Sequence, residues 1–166
     1  MFFFATTVAI LGLITFLLRP TRKMKLKVNN KCIMITGCDS GVGLSLAVFS
    51  HSLGFHVIAT CLDTSSNGAL LMKEKYPSIL VLKMDITNPK SVCETKERIS
   101  AYLHEAQSQL WSLVNNAGIL VYGQFDWQTD YQISNQIQVN LIGTMQVTKA
   151  FLPLIRSAKG RFSYLI

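Results

Sequence analysis

The stretch KCIMITGCDSGVG, residues 31–43, decides the fold of this chain. Its first half is apolar and β-branched, which indicates a buried strand. Three glycines follow. Gly37 lets the chain turn sharply off the strand, Gly41 lets the backbone approach a pyrophosphate, and Gly43 lets a following helix pack close to the sheet. A helix that begins near Gly41 would direct its free N–H groups and its positive dipole end at the phosphates.

Outward from this turn, apolar strands alternate with helical periodicity. The pattern predicts strands at 31–37, 56–62 and 79–85, a fourth strand with its turn at 110–118, and a fifth strand beginning near 162. It predicts helices at 41–53, 69–75, 88–106 and 131–154. Such alternation is typical of an α/β fold with a doubly wound parallel sheet, covered on both faces and joined by right-handed crossovers. We therefore predict one Rossmann-type domain over residues 31–166, incomplete after its fourth helix.

The N-terminus is predicted to anchor the chain in a membrane. Residues 2–18 carry no charge and are at the short end of what spans a bilayer. A basic linker, residues 19–30, follows and favours a cytosolic position for the domain. We predict a single-pass anchor at 1–18, with monotopic insertion and a cleaved signal peptide as the alternatives. The basic linker also suits contact with anionic headgroups.

Charge and cysteine content exclude several classes of protein. The net charge is +7, but six of the 16 basic residues fall between positions 19 and 31. The remainder is nearly neutral, which argues against a nucleic-acid partner. The four cysteines show neither paired spacing nor clustered histidines, so we expect no disulfide framework and no metal site. Cys32 and Cys61 fall in predicted buried strands, where a free thiol behaves as a small apolar group.

Four landmarks carry a family resemblance. Thr36-Gly37-x-x-x-Gly41-x-Gly43 and the NNAG run at 115–118 resemble motifs of the short-chain dehydrogenase/reductase family. Asp85, in MDIT, matches the carboxylate that holds the adenine ring in that family, and Asn140, in VNLIG, matches the asparagine of its catalytic tetrad. TGCDSG, LWSLVNNAG and FLPLIRSAKGR resemble the retinol, hydroxysteroid and hydroxybutyrate dehydrogenase branch, whose members commonly have an N-terminal membrane segment.

The resemblance implies a cofactor site whose residues lie in turns that follow the strands: Thr36, Gly37, Asp39, Ser40, Gly41, Val42, Gly43, Asp63, Asp85, Ile86, Asn116, Ala117 and Gly118. Each polar landmark also has a structural interpretation. Asp85 can cap a turn, Asn115 and Asn116 can form one, and Asn140 can be a satisfied core amide.

Position 63 favours NAD over NADP as the cofactor. NADP binders place Arg or Lys near the end of the second strand, whereas NAD binders place a carboxylate there. This chain has Asp63 there, and no basic residue lies between the second strand and Lys73. Asp63 lies two residues beyond the usual acid position of the family, which Cys61 occupies here.

Of the family's Ser, Tyr, Lys and Asn tetrad, the chain carries only Asn140. The tyrosine needs a lysine four residues on to lower its pKa, and no Tyr-x-x-x-Lys occurs in this sequence. We therefore expect this chain to be a fragment that does not turn over substrate by the family mechanism.

Three functions follow from these observations. The first is an NAD(P)-dependent oxidoreductase acting on a lipophilic alcohol or ketone such as a retinoid, a steroid or a hydroxy acid. The second is a non-catalytic short form that binds a dinucleotide or a full-length partner. The third, a membrane adaptor with a relic fold, has little support beyond the anchor. We expect the endoplasmic reticulum as the location, with the mitochondrion as the alternative, and a homo-oligomer among the partners.

Overall fold

The computed structural model describes residues 28–165, which contain a parallel sheet of five strands. The strands are β1 (Lys31–Thr36), β2 (His56–Cys61), β3 (Leu80–Lys83), β4 (Gln109–Asn115) and β5 (Arg161–Tyr164). Their order across the sheet is β3-β2-β1-β4-β5. The order reverses between β1 and β4, and in open parallel sheets ligands bind beyond the carboxyl ends of the strands at such a reversal.

Helices connect consecutive strands. They are α1 (Gly41–Ser52), α2 (Asn67–Lys75), α3 (Pro89–Glu105), α4 (Asp130–Ile137) and α5 (Thr144–Ser157), and a short 3-10 turn covers Phe125–Trp127. Side chains fix three of the helix starts by accepting N–H groups of the first turn: Ser66, Asn88 and Thr129. Gln132 completes a capping box with Thr129.

The helices cover both faces of the sheet, as predicted. On one face, α1 and α2 contribute Ala47, Ala69 and Met72 to a core with the first and second strands. On the other face, α3 and α5 pack Ile99 and Phe151, among others, against a second core cluster. The doubly wound parallel architecture predicted from the alternation of strands and helices is therefore confirmed.

The predicted fourth strand and turn at 110–118 agree with the structure, in which β4 ends at Asn115 and the chain then leaves the sheet to form the turn. The third strand is shorter than predicted, Leu80–Lys83 instead of 79–85. The predicted long helix at 131–154 is a continuous run of helical turns from 130 to 157, but Gln138–Gly143 is π-helical. Hydrophobic periodicity of 3.6 residues does not reveal a single wide turn of this kind.

Residues 28–165 include no helix that is both long enough and apolar enough to cross a bilayer. The predicted anchor at 1–18, and all but the last three residues of the basic linker, lie outside the described residues.

Replacement of Phe151 by alanine tests the second core cluster. Phe151 is fully buried, so Phe151→Ala should lower the free energy of unfolding by about 3–5 kcal/mol through lost burial and the resulting cavity. Phe49→Ala on α1 is the matched control, because 58% of the Phe49 side chain is exposed and its loss should cost under about 1 kcal/mol. Equal losses in urea titrations would contradict the assigned packing.

Candidate functional site

A cavity of about 580 Å³ opens at the carboxyl ends of the strands, where the strand order reverses. Its walls come from the turns that follow the first four strands and from the π-helical segment. The predicted site residues among them are Gly37, Asp39, Ser40, Val42, Gly43, Asp63, Asp85, Ile86, Asn116, Ala117 and Gly118. Five chain segments that are far apart in sequence thus meet at one site.

Two glycines of the turn after β1 have no room for a side chain. Gly37 has a φ of +68°, and a Cβ there would lie 2.7 Å from the Cα of Ala117. A Cβ on Gly43 would collide with the carbonyl oxygen of Gly37 and the side-chain amide of Asn116. Both contacts involve backbone or a hydrogen-bonded group, so neither can relax at low cost.

Gly41 is different, because it has a φ of +59° and an added Cβ would meet no atom within 4 Å. This residue begins α1, and the first N–H groups of a helix have no intrahelical acceptor. Ser40 and Val42 beside it are exposed on the cavity wall. The arrangement leaves an open, positively polarised helix end that can accept phosphate oxygens.

Thr36 lies beneath the cavity and does not line it. Its buried hydroxyl oxygen accepts the backbone N–H groups of Asn116, at 3.0 Å, and of Ala117, at 2.9 Å. Asn116 returns the contact, since its side-chain amide donates to the carbonyl oxygens of Thr36, at 2.8 Å, and Gly37, at 3.0 Å. Thr36 and Asn116 therefore position the two turns with respect to each other.

Asp39 holds the end of β2 in place through two hydrogen bonds. Its two carboxylate oxygens accept the backbone N–H groups of Leu62, at 3.0 Å, and of Asp63, at 2.9 Å. Asp63 in turn accepts hydrogen bonds from the hydroxyl and the N–H of Ser65. Those bonds are the main cause that holds the pKa of Asp63 below its ordinary value. The exposed Asp63 carboxylate is therefore charged at neutral pH.

Two lysines come close to Asp63, and sequence reasoning overlooked one of them. Lys83 ends β3 and pairs in register with Cys61, two residues before Asp63. The charges of Lys83 and Lys73 both contribute to the lowered pKa of Asp63. The Lys73 ammonium group donates to the carbonyl oxygen of Thr64 at 2.8 Å. Lys83 lies twenty positions away in sequence, so only the strand register could have revealed it.

Lys83 also lines a second cavity of about 680 Å³ that is adjacent to the first. Leu62 and Asp85 border both cavities, and Arg98 and Glu94 of α3 contribute to the second one alone.

Asp85 caps a turn and also lies on the cavity wall. One carboxylate oxygen accepts the N–H of Thr87 at 2.9 Å and its hydroxyl at 2.7 Å, which is the turn-capping arrangement. The residue nevertheless lies on the cavity wall together with Ile86. Capping the turn therefore fixes the position of the carboxylate at the cavity.

Asn140 lies in the π-helical segment and holds the loop after β4. Its side-chain oxygen accepts the N–H of Ile119 at 2.9 Å, and its amide donates to the carbonyl oxygen of Ile119 at 2.8 Å. Among the described residues it borders a third cavity of about 310 Å³, together with Gly118 and Tyr164. Because both ends of the amide are engaged with the backbone, Asn140 acts here as a positioning residue.

Several wall residues were not identified from the sequence: Leu62, Met84, Thr87, Ile119 and Val139. Four of them lie within one position of a predicted cofactor-site residue, and Val139 lies within the π-helical segment. Apolar residues at strand ends resemble core residues in sequence, which explains why they were overlooked. The buried Cys32 and Cys61 match the prediction, and burial raises the pKa of each thiol to about 12.

The chain resembles proteins of known function over most of its length. A family model described as short chain dehydrogenase matches residues 31–162. The chain is 43% identical over 137 residues to the mitochondrial D-beta-hydroxybutyrate dehydrogenase of Bos taurus, covering 81% of this chain and 40% of that protein. It is 39% identical over 140 residues to the 17-beta-hydroxysteroid dehydrogenase type 2 of Homo sapiens, covering 82% and 35%.

A solved structure, the NADPH-bound carbonyl reductase from chicken fatty liver, matches with a TM-score of 0.63 at 27% identity, covering 74% of this chain and 47% of that one. The chain therefore spans less than half the length of each of these relatives.

Replacement of Thr36 by valine tests the link between the two turns. Valine keeps the shape but leaves the N–H groups of Asn116 and Ala117 without their acceptor, which should cost about 2–4 kcal/mol of unfolding free energy. Thr36→Ser retains the hydroxyl and should cost about 1 kcal/mol or less. If chemical denaturation gave the same loss for both variants, the hydroxyl would not be the connecting group.

Proposed function

The chain belongs to the short-chain dehydrogenase family, and we propose that residues 31–165 are the dinucleotide-binding part of an NAD(P)-dependent oxidoreductase. One observation carries this proposal. The turn after β1, which needs glycine at positions 37 and 43, leads into the exposed start of α1 on the wall of the first cavity. Fixed backbone N–H groups at a helix start favour phosphate groups, and the family binds nicotinamide dinucleotides.

The residues around the cavity fit the chemical parts of a dinucleotide. The open backbone at Gly41 suits the pyrophosphate, and the carboxylates of Asp63 and Asp85 suit hydroxyl and amino groups of the adenosine end. At the other end, Asn140 holds Ile119 and so shapes the wall that would contact the nicotinamide. When bound, the dinucleotide supplies hydride chemistry, and the described residues orient it.

NAD is the proposed cofactor. A 2′-phosphate would bring negative charge toward Asp63, whose carboxylate is exposed and ionised. Asp39 fixes the backbone from which Asp63 projects, so Asp63 cannot easily move aside. The nearby Lys83 opposes this preference, which makes the balance of charges at the end of β2 the deciding quantity.

A lipophilic alcohol or its ketone is the proposed substrate. The similar proteins are named as dehydrogenases of D-beta-hydroxybutyrate and of 17-beta-hydroxysteroids. Leu120, which borders the third cavity, is 65% exposed, and Tyr122, two residues further along the chain, is 89% exposed. Such a surface suits an apolar body such as a steroid or a retinoid. We also retain the single-pass anchor, at the endoplasmic reticulum or the mitochondrion, as part of the proposal.

Hydride transfer is the direct test of this function. The chain would be incubated with NAD and, separately, 3-hydroxybutyrate, a 17-hydroxysteroid or retinol, and formation of NADH would be followed by its absorbance. Substrate-dependent NADH formation supports the oxidoreductase. Because no Tyr-x-x-x-Lys occurs in this sequence, we expect saturable NAD binding in calorimetry without NADH formation. Absence of binding would contradict the proposal altogether.

Calorimetry with both cofactors tests the NAD preference. NAD should bind at least about tenfold more tightly than NADP, because a charged pair of carboxylate and phosphate costs about 1–2 kcal/mol at a partly exposed site. Asp63→Ser should reduce the ratio to about threefold or less, and Lys83→Gln should increase it. Asp126→Ser makes the same change of charge on the 3-10 turn and should leave the ratio unchanged. A ratio insensitive to Asp63→Ser would contradict the assignment.

A further inference from the structure

Five cations gather at the amino edge of the sheet, the edge where the strands begin and which lies opposite the cavity. They are exposed or half-buried residues of β1, β5 and the ends of α2 and α5: Lys31, Lys75, Arg156, Lys159 and Arg161. The acids at the same edge are Glu74 and Glu105. We call the five cations, together with Trp111, the basic edge.

Trp111 lies at the centre of the basic edge because of a bulge in β4. Cys32 of β1 pairs with Leu110 and Ile33 pairs with Ser112, which leaves Trp111 as the extra residue between them. The Lys31 ammonium lies 4.7 Å from the centre of the Trp111 ring, and the Arg161 guanidinium lies 4.2 Å from it. Bulges change the direction of side chains, and this one brings the Trp111 ring close to two cations and stacks it on Phe55, with ring centres 5.9 Å apart.

The aspartates lie away from the basic edge. All five aspartates of the chain lie toward the cavity end, where they follow strands or lie at or just before the start of α4: Asp39, Asp63, Asp85, Asp126 and Asp130. The ion pair found among residues 28–165 joins Lys90 and Glu94 of α3, so no carboxylate within this range neutralises the basic edge through a salt bridge. The aspartates of the cavity end have Lys73 and Lys83 beside them, whereas the five cations of the basic edge outnumber its two acids.

The described chain begins at the positive end. The N–H of Lys31 donates to the carbonyl oxygen of Val28, and the N–H of Gln109 donates to that of Asn30, both at 3.0 Å. The sequence joined to Val28 carries five further cations: Arg19, Arg22, Lys23, Lys25 and Lys27. The basic edge is thus continuous in the chain with the most basic stretch of the sequence.

We propose that the basic edge binds the anionic headgroup surface of a membrane, so that the cavity faces away from the bilayer. Lysine and arginine near an anionic surface each contribute about fivefold to binding, and tryptophan prefers the boundary between headgroups and water. The inference goes beyond the proposed cofactor chemistry and uses the proposed anchoring only as the tether that brings this edge to the membrane.

Fluorescence of the two tryptophans tests this orientation. The full chain would be added to vesicles of phosphatidylcholine with or without about 30% phosphatidylserine, with a nitroxide quencher on the headgroups. The Trp127→Phe variant reports Trp111, and the Trp111→Phe variant reports Trp127 on the 3-10 turn between β4 and α4. We expect Trp111 to be quenched in the anionic vesicles and released by about 0.5 M salt, and Trp127 to stay unquenched.

Two matched triple variants test the role of charge. Lys75→Gln with Arg156→Gln and Lys159→Asn removes three cations of the basic edge, where asparagine suits the φ of +49° at position 159. This variant should weaken the salt-sensitive quenching of Trp111 about a hundredfold in apparent affinity for anionic lipid. Lys90→Gln with Lys96→Gln and Lys149→Gln removes three cations elsewhere and should change it less than about threefold.

Equal effects of the two triple variants, quenching of Trp127 in place of Trp111, or equal quenching in neutral and anionic vesicles would each overturn the proposal. Flotation with neutral vesicles reports the anchor separately. A chain that fails to float with neutral vesicles, yet shows Trp111 quenching with anionic ones, would contradict the anchor and still support the basic edge.

Discussion

The close contact between the start of α1 and the turns after β1 and β4 is the constraint on which the rest of the site depends. Gly43 packs against the carbonyl oxygen of Gly37 and the amide of Asn116, and no side chain fits between them. Directly below, the Thr36 hydroxyl joins the same two turns through buried hydrogen bonds. Helix α1 therefore begins at a fixed height above the sheet, with its N–H groups at the cavity.

The other groups of the site are arranged around this contact. Asp39 leaves the glycine turn to hold the end of β2, which sets the position of Asp63. Asp85 caps its own turn, and Asn140 holds the loop that follows β4. Most polar landmarks thus bond to backbone and shape the cavity, while Asp63 and the free helix end remain available to a ligand. Such preorganisation lowers the cost of ordering the site when a ligand binds.

The sequence was sufficient to predict the sheet, the glycine turn and most of the cavity wall, because those features depend on local patterns. Apolar β-branched runs predict strands, and a glycine turn between a strand and a helix predicts a phosphate site. Features that depend on distant residues were not predicted. To predict that Lys83 lies close to Asp63, one must know the register of β2 and β3. To predict the hydrogen bonds from Asp39 to the end of β2, one must know the path of the glycine turn. The π-helical turn that contains Asn140 could not be predicted either, because the spacing of apolar residues there is the same as in an ordinary α-helix.

Hydrogen exchange of the full chain in detergent, with and without NAD, tests the central claim most directly. If the glycine turn and the start of α1 bind the dinucleotide, amides within residues 37–43 and 116–119 should exchange at least about tenfold more slowly with NAD present, while those of the amino edge should not change. Unchanged exchange at both segments under saturating NAD, in a chain whose strands remain protected, would contradict the account.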